Sequence, residues 1–281
     1  MKAIKSIFAL VLLFLVAGCA QNHFNLPKDE MVQRVRVLGV APLMIDENSD
    51  IRFPQKDELF TLLANYNRIN ERQLVRLLKN SESFYAVVMP DDDPKALLGE
   101  LMLYREQRDD AKVQYNKYFW NERALREYMD KNSVDALMLV VVSGITRPDK
   151  LYSGTLLNSL ENNYNFLIMT AQIVDKNGAV LWEYPNFRRS FLKYEPLLNL
   201  QYADFEAAKA NMDDTVQVKF KSLDGVRRAL EKRRLSFFRQ ETPDYDVYMS
   251  QFEDMVSLIN LDRTVSPLST RDTVPIEDAP Q

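Results

Sequence analysis

Seven consecutive apolar residues, Ala136-Leu137-Met138-Leu139-Val140-Val141-Val142, constrain the fold of this chain more than any other stretch. A strand with one wet face alternates apolar and polar side chains. One that does not alternate is a central strand covered on both faces. Helices must therefore lie above and below it, and the rest of the sequence supplies them. Leu59, Leu62, Leu63, Tyr66, Ile69, Leu74, Leu77 and Leu78 recur at three and four, which predicts an amphipathic helix over about 57–80. Val216, Phe220, Leu223, Val226 and Leu230 mark another. Thr242-Pro243-Asp244 reads as an N-cap, a proline at N1 and an early acid, opening a C-terminal helix that carries Tyr245, Tyr248, Met249, Phe252, Val256 and Ile259 on one side.

Further strands frame the central one. Val35 to Pro42 is β-rich and ends in proline, and Phe84 to Met89 is closed by Pro90 and three aspartates. Phe166 to Val174 and Ala179 to Tyr184 form a hairpin around Asp175-Lys176-Asn177-Gly178, where Asn-Gly supplies the positive φ of a tight turn. Residues 94–131 read as a helical insertion in two pieces, broken near Tyr118. The order β-α-β-α-α-β-β-β-α-α predicts an α/β fold. It is a two- or three-layer sandwich on a mixed sheet, with an inserted helical segment and an extra C-terminal helix. One domain is expected over 35–260.

The termini differ from this body. Lys2 and Lys5 precede an apolar core, Ile7 to Val16, too short to span a bilayer as a helix. Val16-Ala17-Gly18-Cys19 follows and resembles the lipobox of bacterial lipoproteins. That resemblance implies a signal peptide over 1–18, cleavage between Gly18 and Cys19, and acyl chains on Cys19. Two or three chains make a strong tether, since each buried methylene contributes roughly 0.8 kcal/mol. Ala20, by the same resemblance, favours the outer membrane over the inner. Cleavage leaves 263 residues and removes two lysines, moving the formal charge from −4 to about −6. Residues 19–34 are expected to be the lipidated cysteine and a polar tether, and 261–281, with three prolines and no aromatics, a disordered tail.

Three features together suggest a family: the strand ending in proline (Val37 to Pro42), the buried strand introduced by Val134-Asp135-Ala136, and the hairpin carrying Ala171, Val174, Asp175, Gly178, Val180, Leu181 and Trp182. The chain resembles a group of envelope lipoproteins that share the fold of the TolB N-terminal domain and the curli-secretion lipoprotein, including GNA-type lipoproteins. The resemblance spans roughly 35–90 and 134–184. In the curli-secretion member, strands enter the outer membrane as a shared barrel, which requires about ten alternating residues per strand. The stretches here that could do so, Ser143 to Asn165 and Arg188 to Asp204, do not alternate cleanly.

Composition excludes several chemistries. The only histidine is His23 and the only cysteine is Cys19, so neither the usual zinc and copper ligand sets nor Ser-His-Asp and Cys-His catalysis can be assembled in the body. The seven glycines are nowhere closer than ten residues apart, so no P-loop or G-x-G-x-x-G exists. A mildly acidic balance gives no reason to expect nucleic acid. Asp91-Asp92-Asp93-Pro94 reads as a strand-to-helix turn capped by Asp93 rather than a Ca²⁺ loop, because no spaced oxygen ligands follow. Seven cations between Lys219 and Arg234 are either a solvated helix face or a surface for anionic lipid. Tyr115, Tyr118, Phe119 and Trp120 are either the core of a helical elbow or an exposed partner surface, for which Tyr115, Tyr118 and Trp120 are the candidates. The C-terminal helix is likewise either a lid on its own sheet or a docking helix.

These readings lead to a non-catalytic envelope lipoprotein, without cofactor or metal, holding a protein-binding surface near the membrane. The alternatives are an oligomeric secretion-pore component and a carboxylate-based hydrolase.

Overall fold

The computed structural model describes residues 24–110, 113–185, 194–235 and 241–261. Gly18, Cys19 and residues 262–281 lie outside the described residues. In chain order, α1 (Lys28–Arg34) leads into β1 (Val37–Val40) and the short β2 (Met44–Ile45), and α2 (Lys56–Asn80) crosses to β3 (Ala86–Val88). Next come α3 (Pro94–Leu101), a hairpin of β4 (Met102–Asp110) and β5 (Val113–Trp120), and α4 (Glu122–Asn132). The two longest strands follow, β6 (Ala136–Tyr152) and β7 (Ser159–Asp175), then β8 (Val180–Tyr184), β9 (Leu198–Asn199) and β10 (Gln201–Ala203). The described chain ends with α5 (Phe205–Ala210), β11 (Val218–Phe220), α6 (Leu223–Glu231), β12 (Arg233–Leu235), β13 (Glu241–Tyr245) and α7 (Asp246–Ile259).

The main sheet runs β3-β1-β6-β7-β8. β3, β1 and β6 are parallel, whereas β6, β7 and β8 alternate in direction. Short strands extend both edges: β2 takes over from β1 beside Val141 and Val142 of β6, and β9 pairs with Phe166 and Leu167 of β7. The mixed α/β sandwich expected from the sequence is therefore present. The apolar run is its central strand, covered on both faces. Ala136, Met138, Val140 and Val142 join the core beneath α2, α6 and α7; Leu137, Leu139 and Val141 join that beneath α3, β5 and α4. Three layers result.

Four sequence expectations need correction. Residues 94–131 are not a two-piece helix but helix, hairpin, helix. Met102-Leu103-Tyr104-Arg105-Glu106-Gln107 contains good helix formers, which hides a strand. Tyr118 and Trp120 of β5 bury against β6 and β7, and β4 pairs with β5 from Met102↔Trp120 to Asp110↔Val113, so packing overrides propensity. The supposed tether 19–34 is part of the fold from Phe24 onward: Phe24 bridges to Trp182, and Met31 on α1 is buried. Polar composition concealed a helix with a single buried contact point. Lys28 Nζ donates to Asn260 O at 3.2 Å and Leu261 N to Ser83 Oγ at 3.2 Å, so residues on both sides of the expected 35–260 span pack into the fold. Lastly, Thr242-Pro243-Asp244 sits in β13, and α7 starts only at Asp246. Pairing with β12 takes this segment's backbone, and the Arg233 guanidinium lies 3.9 Å from the Tyr245 ring centre. A proline is tolerated on such an edge strand.

Two glycines are required by geometry. Gly178 has φ of 76° in the β7–β8 turn, where Asp175 Oδ1 accepts from Asn177 N and Ala179 N, both at 2.9 Å. Gly144 in β6 has no room for a side chain: a Cβ would lie 2.5 Å from the Asp50 carbonyl oxygen. The loop from Asp46 to Arg52 is thereby laid directly on the strand. Gly144→Ala should destabilise the domain by about 1–3 kcal/mol through overpacking. The check is a lower urea midpoint at unchanged slope.

Candidate functional site

β6 and β7 stay paired through Tyr152↔Ser159, seven pairs beyond Ile145↔Phe166. Over those seven pairs neither strand has another neighbour among the described strands. A two-stranded arm therefore projects roughly 20 Å past the sheet. Pro148 sits in it without cost to a ladder, because its side of β6 is an edge. The loop that closes the arm is ordered by its own hydrogen bonds. Ser153 N donates to Asn158 O at 2.9 Å, Leu156 N to Ser153 O at 2.9 Å, and Asn158 N to Ser153 Oγ at 3.2 Å.

This loop exposes what a fold normally hides. Leu156 is 74% exposed, Leu157 85% and Tyr152 57%, with the Lys150 ammonium 5.7 Å from the Tyr152 ring centre. Leu156 also has φ of 61°, a left-handed conformation that costs a side-chain-bearing residue roughly 1–2 kcal/mol. Each exposed leucine forgoes roughly 1.5–3 kcal/mol of burial. Strain and exposure coincide here, as they also do at Met212 (φ 53°, 94% exposed), but the tip alone sets two adjacent leucines and an aromatic ring together. Sequence reading missed this tip. The available signal was an apolar doublet inside a run of turn formers, Ser153-Gly154-Thr155-Leu156-Leu157-Asn158-Ser159.

Tyr115, Tyr118 and Trp120, the sequence-based candidates for a partner surface, are buried instead, Tyr118 to 2% exposure. Alternation along β5 turns Asn116, Tyr118 and Trp120 toward the sheet. Trp120 Nε1 donates to Gln172 Oε1 at 2.6 Å and Asn116 Nδ2 to Ser143 Oγ at 2.9 Å. The Tyr118 hydroxyl donates to Asp46 Oδ2 at 2.9 Å, and the Arg105 guanidinium pairs with the same carboxylate oxygen. Asp46 Oδ1 accepts from Asn48 N at 3.1 Å. Burial, then the neighbouring Asp46 charge, drives the Tyr118 pKa well above its ordinary value. Asp46 is fully engaged and closed to solvent, so this network is a fastening between β4–β5 and the 46–52 loop, with no open position for a substrate.

The other sequence candidates also resolve into structure. Asp93 Oδ1 caps α3 by accepting from Ala96 N at 2.7 Å, and Asp92 Oδ2 accepts from the Tyr128 hydroxyl at 2.7 Å. In the 219–234 segment, Lys219 pairs with Asp204 at 2.8 Å, Lys232 with Asp246 at 3.0 Å and Arg234 with Glu253 at 2.5 Å. Tyr248, Phe252, Met255 and Ile259 turn α7 inward against α2 as a lid on its own core.

One cleft, about 410 Å³, opens beyond the carboxyl ends of β1 and β2, where ligands bind in many open α/β sheets. Its floor is Leu43, Ile45 and Phe60. At its rim Glu47 is held by Lys95 at 2.6 Å, and Asp93 serves as the α3 cap. Among the described residues no group of three or more His, Cys, Asp or Glu is placed to hold a metal ion.

No family model matches this chain, and no curated protein matches it. Among solved structures, a neuraminyllactose-binding hemagglutinin homolog from Helicobacter pylori is similar over 86% of this chain and 86% of its own. The identity is 9% and the TM-score 0.28, a likeness too slight to bear on fold or function.

Two outcomes follow from the buried polar groups. Asp46→Ala leaves Arg105 and Tyr118 without their acceptor and should cost about 3–5 kcal/mol in chemical denaturation, against about 1 kcal/mol for Tyr118→Phe. Burial also raises the pKa values of Tyr184, Tyr194 and Tyr248. The folded state keeps these protons where the unfolded state loses them, near pH ~10. Their contribution to stability is complete below that pH and falls as pH rises through it. Urea midpoints measured between about pH 8 and pH 12 should be flat at first and then drop.

Proposed function

We propose that this protein is a lipid-anchored envelope lipoprotein, tethered through Cys19 at the periplasmic face of the outer membrane, with a non-catalytic binding or assembly role. The anchoring half rests on the first nineteen residues. A positive n-region, ten apolar residues and Val16-Ala17-Gly18-Cys19 follow one another as lipoprotein processing requires, and Ala20 favours the outer membrane. The binding half is carried by one observation: the arm presents Tyr152, Leu156 and Leu157 to solvent on an ordered, strained loop. Apolar side chains set out this way add nothing to the fold and are suited to contact with another molecule.

The pore reading asks the arm to be something else. A lipid-facing strand needs an apolar row about 25 Å tall. Cross-strand partners share a face, so one face of the arm carries Arg147 and Asp149 while the other carries Lys150 and Glu161. Charge on both faces opposes insertion. The hydrolase reading needs a pair of carboxylates at liberty, whereas of the three acids lining the cleft Glu47 is paired with Lys95 and Asp93 caps a helix, which leaves Asp57 for a task that takes two. Neither alternative has a specific observation behind it.

The anchor is tested by cell fractionation. Wild-type protein should sediment with membranes, and Cys19→Ala should be soluble with an unchanged near-ultraviolet circular dichroism spectrum. Membrane association of the folded Cys19→Ala variant would overturn the assignment, as would mass spectrometry showing an unmodified Cys19 thiol.

A further inference from the structure

The point where the chain enters the fold and the tip of the arm are at opposite ends of one ribbon. Phe24 bridges to Trp182, which lies opposite Ile173 of β7. From Ile173 back to Ser159, where β7 begins next to the tip loop, the strand covers fourteen residues, roughly 46 Å of extended chain. Only five residue steps separate Cys19 from Phe24, at most about 17 Å. An anchor at Cys19 therefore keeps the Trp182 end near the bilayer and leaves the tip free to stand well away from it.

The chemistry of the tip selects among partners. Elements that bind membrane surfaces carry a surplus of cations facing anionic headgroups. This arm has none: Arg147 and Lys150 are balanced by Asp149 and Glu161, and Asn158, Asn162 and Asn163 crowd the collar. A bilayer also accepts apolar groups of any shape and needs no fixed loop. Here the loop is fixed by the three hydrogen bonds of Ser153, and Leu156 is held at positive φ. Two adjacent leucines and one aromatic ring in a set arrangement match a preformed cavity, the arrangement in which anchors at protein interfaces contribute most.

We infer that the arm tip, formed by Tyr152, Leu156 and Leu157, is a prong that seats in an apolar pocket of a partner protein on the side of the domain away from the anchoring membrane. The pocket admits two neighbouring leucine side chains, and its rim is polar without strong net charge, matching the balanced collar. This deepens the binding role proposed above and rests on the Cys19 anchor for the direction in which the prong points.

Photo-crosslinking in cells tests it, with benzoylphenylalanine placed at Leu157 of the full-length chain and, as a control, at Met212, which is still more exposed. Position 157 should give one discrete protein adduct and position 212 should not give it. The captured protein, identified by mass spectrometry and purified, should bind the double variant Leu156→Asp, Leu157→Asp at least ten-fold more weakly than wild type. That variant should keep its urea midpoint, because the tip lies outside both cores. In parallel, a Leu157→Trp, Cys19→Ala chain is mixed with phosphatidylethanolamine–phosphatidylglycerol vesicles, and its emission should not shift to the blue. A blue shift, lipid adducts, an adduct of twice this chain's mass, or partner binding indifferent to the aspartates would each overturn the inference. Failure of the two readings is distinguishable. Membrane-bound wild type without an adduct sinks the prong alone, and soluble wild type sinks the anchor and the direction assigned to the prong.

Discussion

The antiparallel pairing of β6 with β7, seventeen pairs from Ala136↔Asp175 to Tyr152↔Ser159, is the contact on which the rest of the structure depends. Every other strand of the main sheet attaches to this ribbon directly or through one neighbour. β1 and β2 share its β6 edge, β3 follows on β1, and β8 and β9 share its β7 edge. Its inner half is apolar on both faces and so specifies helices on either side. Its outer half carries charge on both faces and has no further strand beside it among the described residues; only Tyr164 and Leu151, on one face, still reach the core. One pair of strands thus acts as scaffold at one end and as a reaching element at the other.

Between these halves the burial changes character, and polar groups manage the change. Asn165 Nδ2 donates to Asp50 O at 2.7 Å and to Thr146 Oγ1 at 3.0 Å, while its Oδ1 accepts from Arg52 N at 2.8 Å. Ser49 Oγ accepts from Gly144 N at 2.8 Å. These bonds satisfy backbone groups of the 46–52 loop that would be costly to bury unpaired. On the opposite face Asp46, Arg105 and Tyr118 fasten the β4–β5 hairpin to the same loop. The base of the arm is therefore gripped from both sides, and a rigid base is what allows a distant tip to hold a defined position.

That arrangement suits the binding role proposed above. The cleft beyond β1 and β2 lies where this class of sheet often binds ligands, yet among its rim groups Lys95, Glu47 and Asp93 are engaged with one another or with a helix end. The tip of the arm has the reverse character, exposing apolar groups that nothing in the described chain covers. Free energy forgone by the fold at Leu156 and Leu157 is available to an interface.

Much of this was legible in the residues. The central strand, the helix at 56–80, the Asp93 cap and the Gly178 turn each depend on a local rule: two-sided burial, 3.6-residue periodicity, an N-cap acceptor, a positive φ. The strand nature of 102–120 was not legible, because Arg, Glu and Gln favour helix locally and only the sheet beneath β5 reverses that preference. Nor was the inward turn of Tyr118 and Trp120, since an aromatic cluster looks the same in sequence whether it faces solvent or a neighbouring layer. The length of the arm escaped too, because its charged and polar residues carry no apolar alternation to announce a strand. By itself the sequence determined the layers and the class of sheet, since those follow from which side chains water rejects within a few residues of one another. Only the tertiary structure decided which polar segments pair as strands and which leucines remain outside, since those outcomes depend on strand pairing and on the layers packed against it, which no local rule sees.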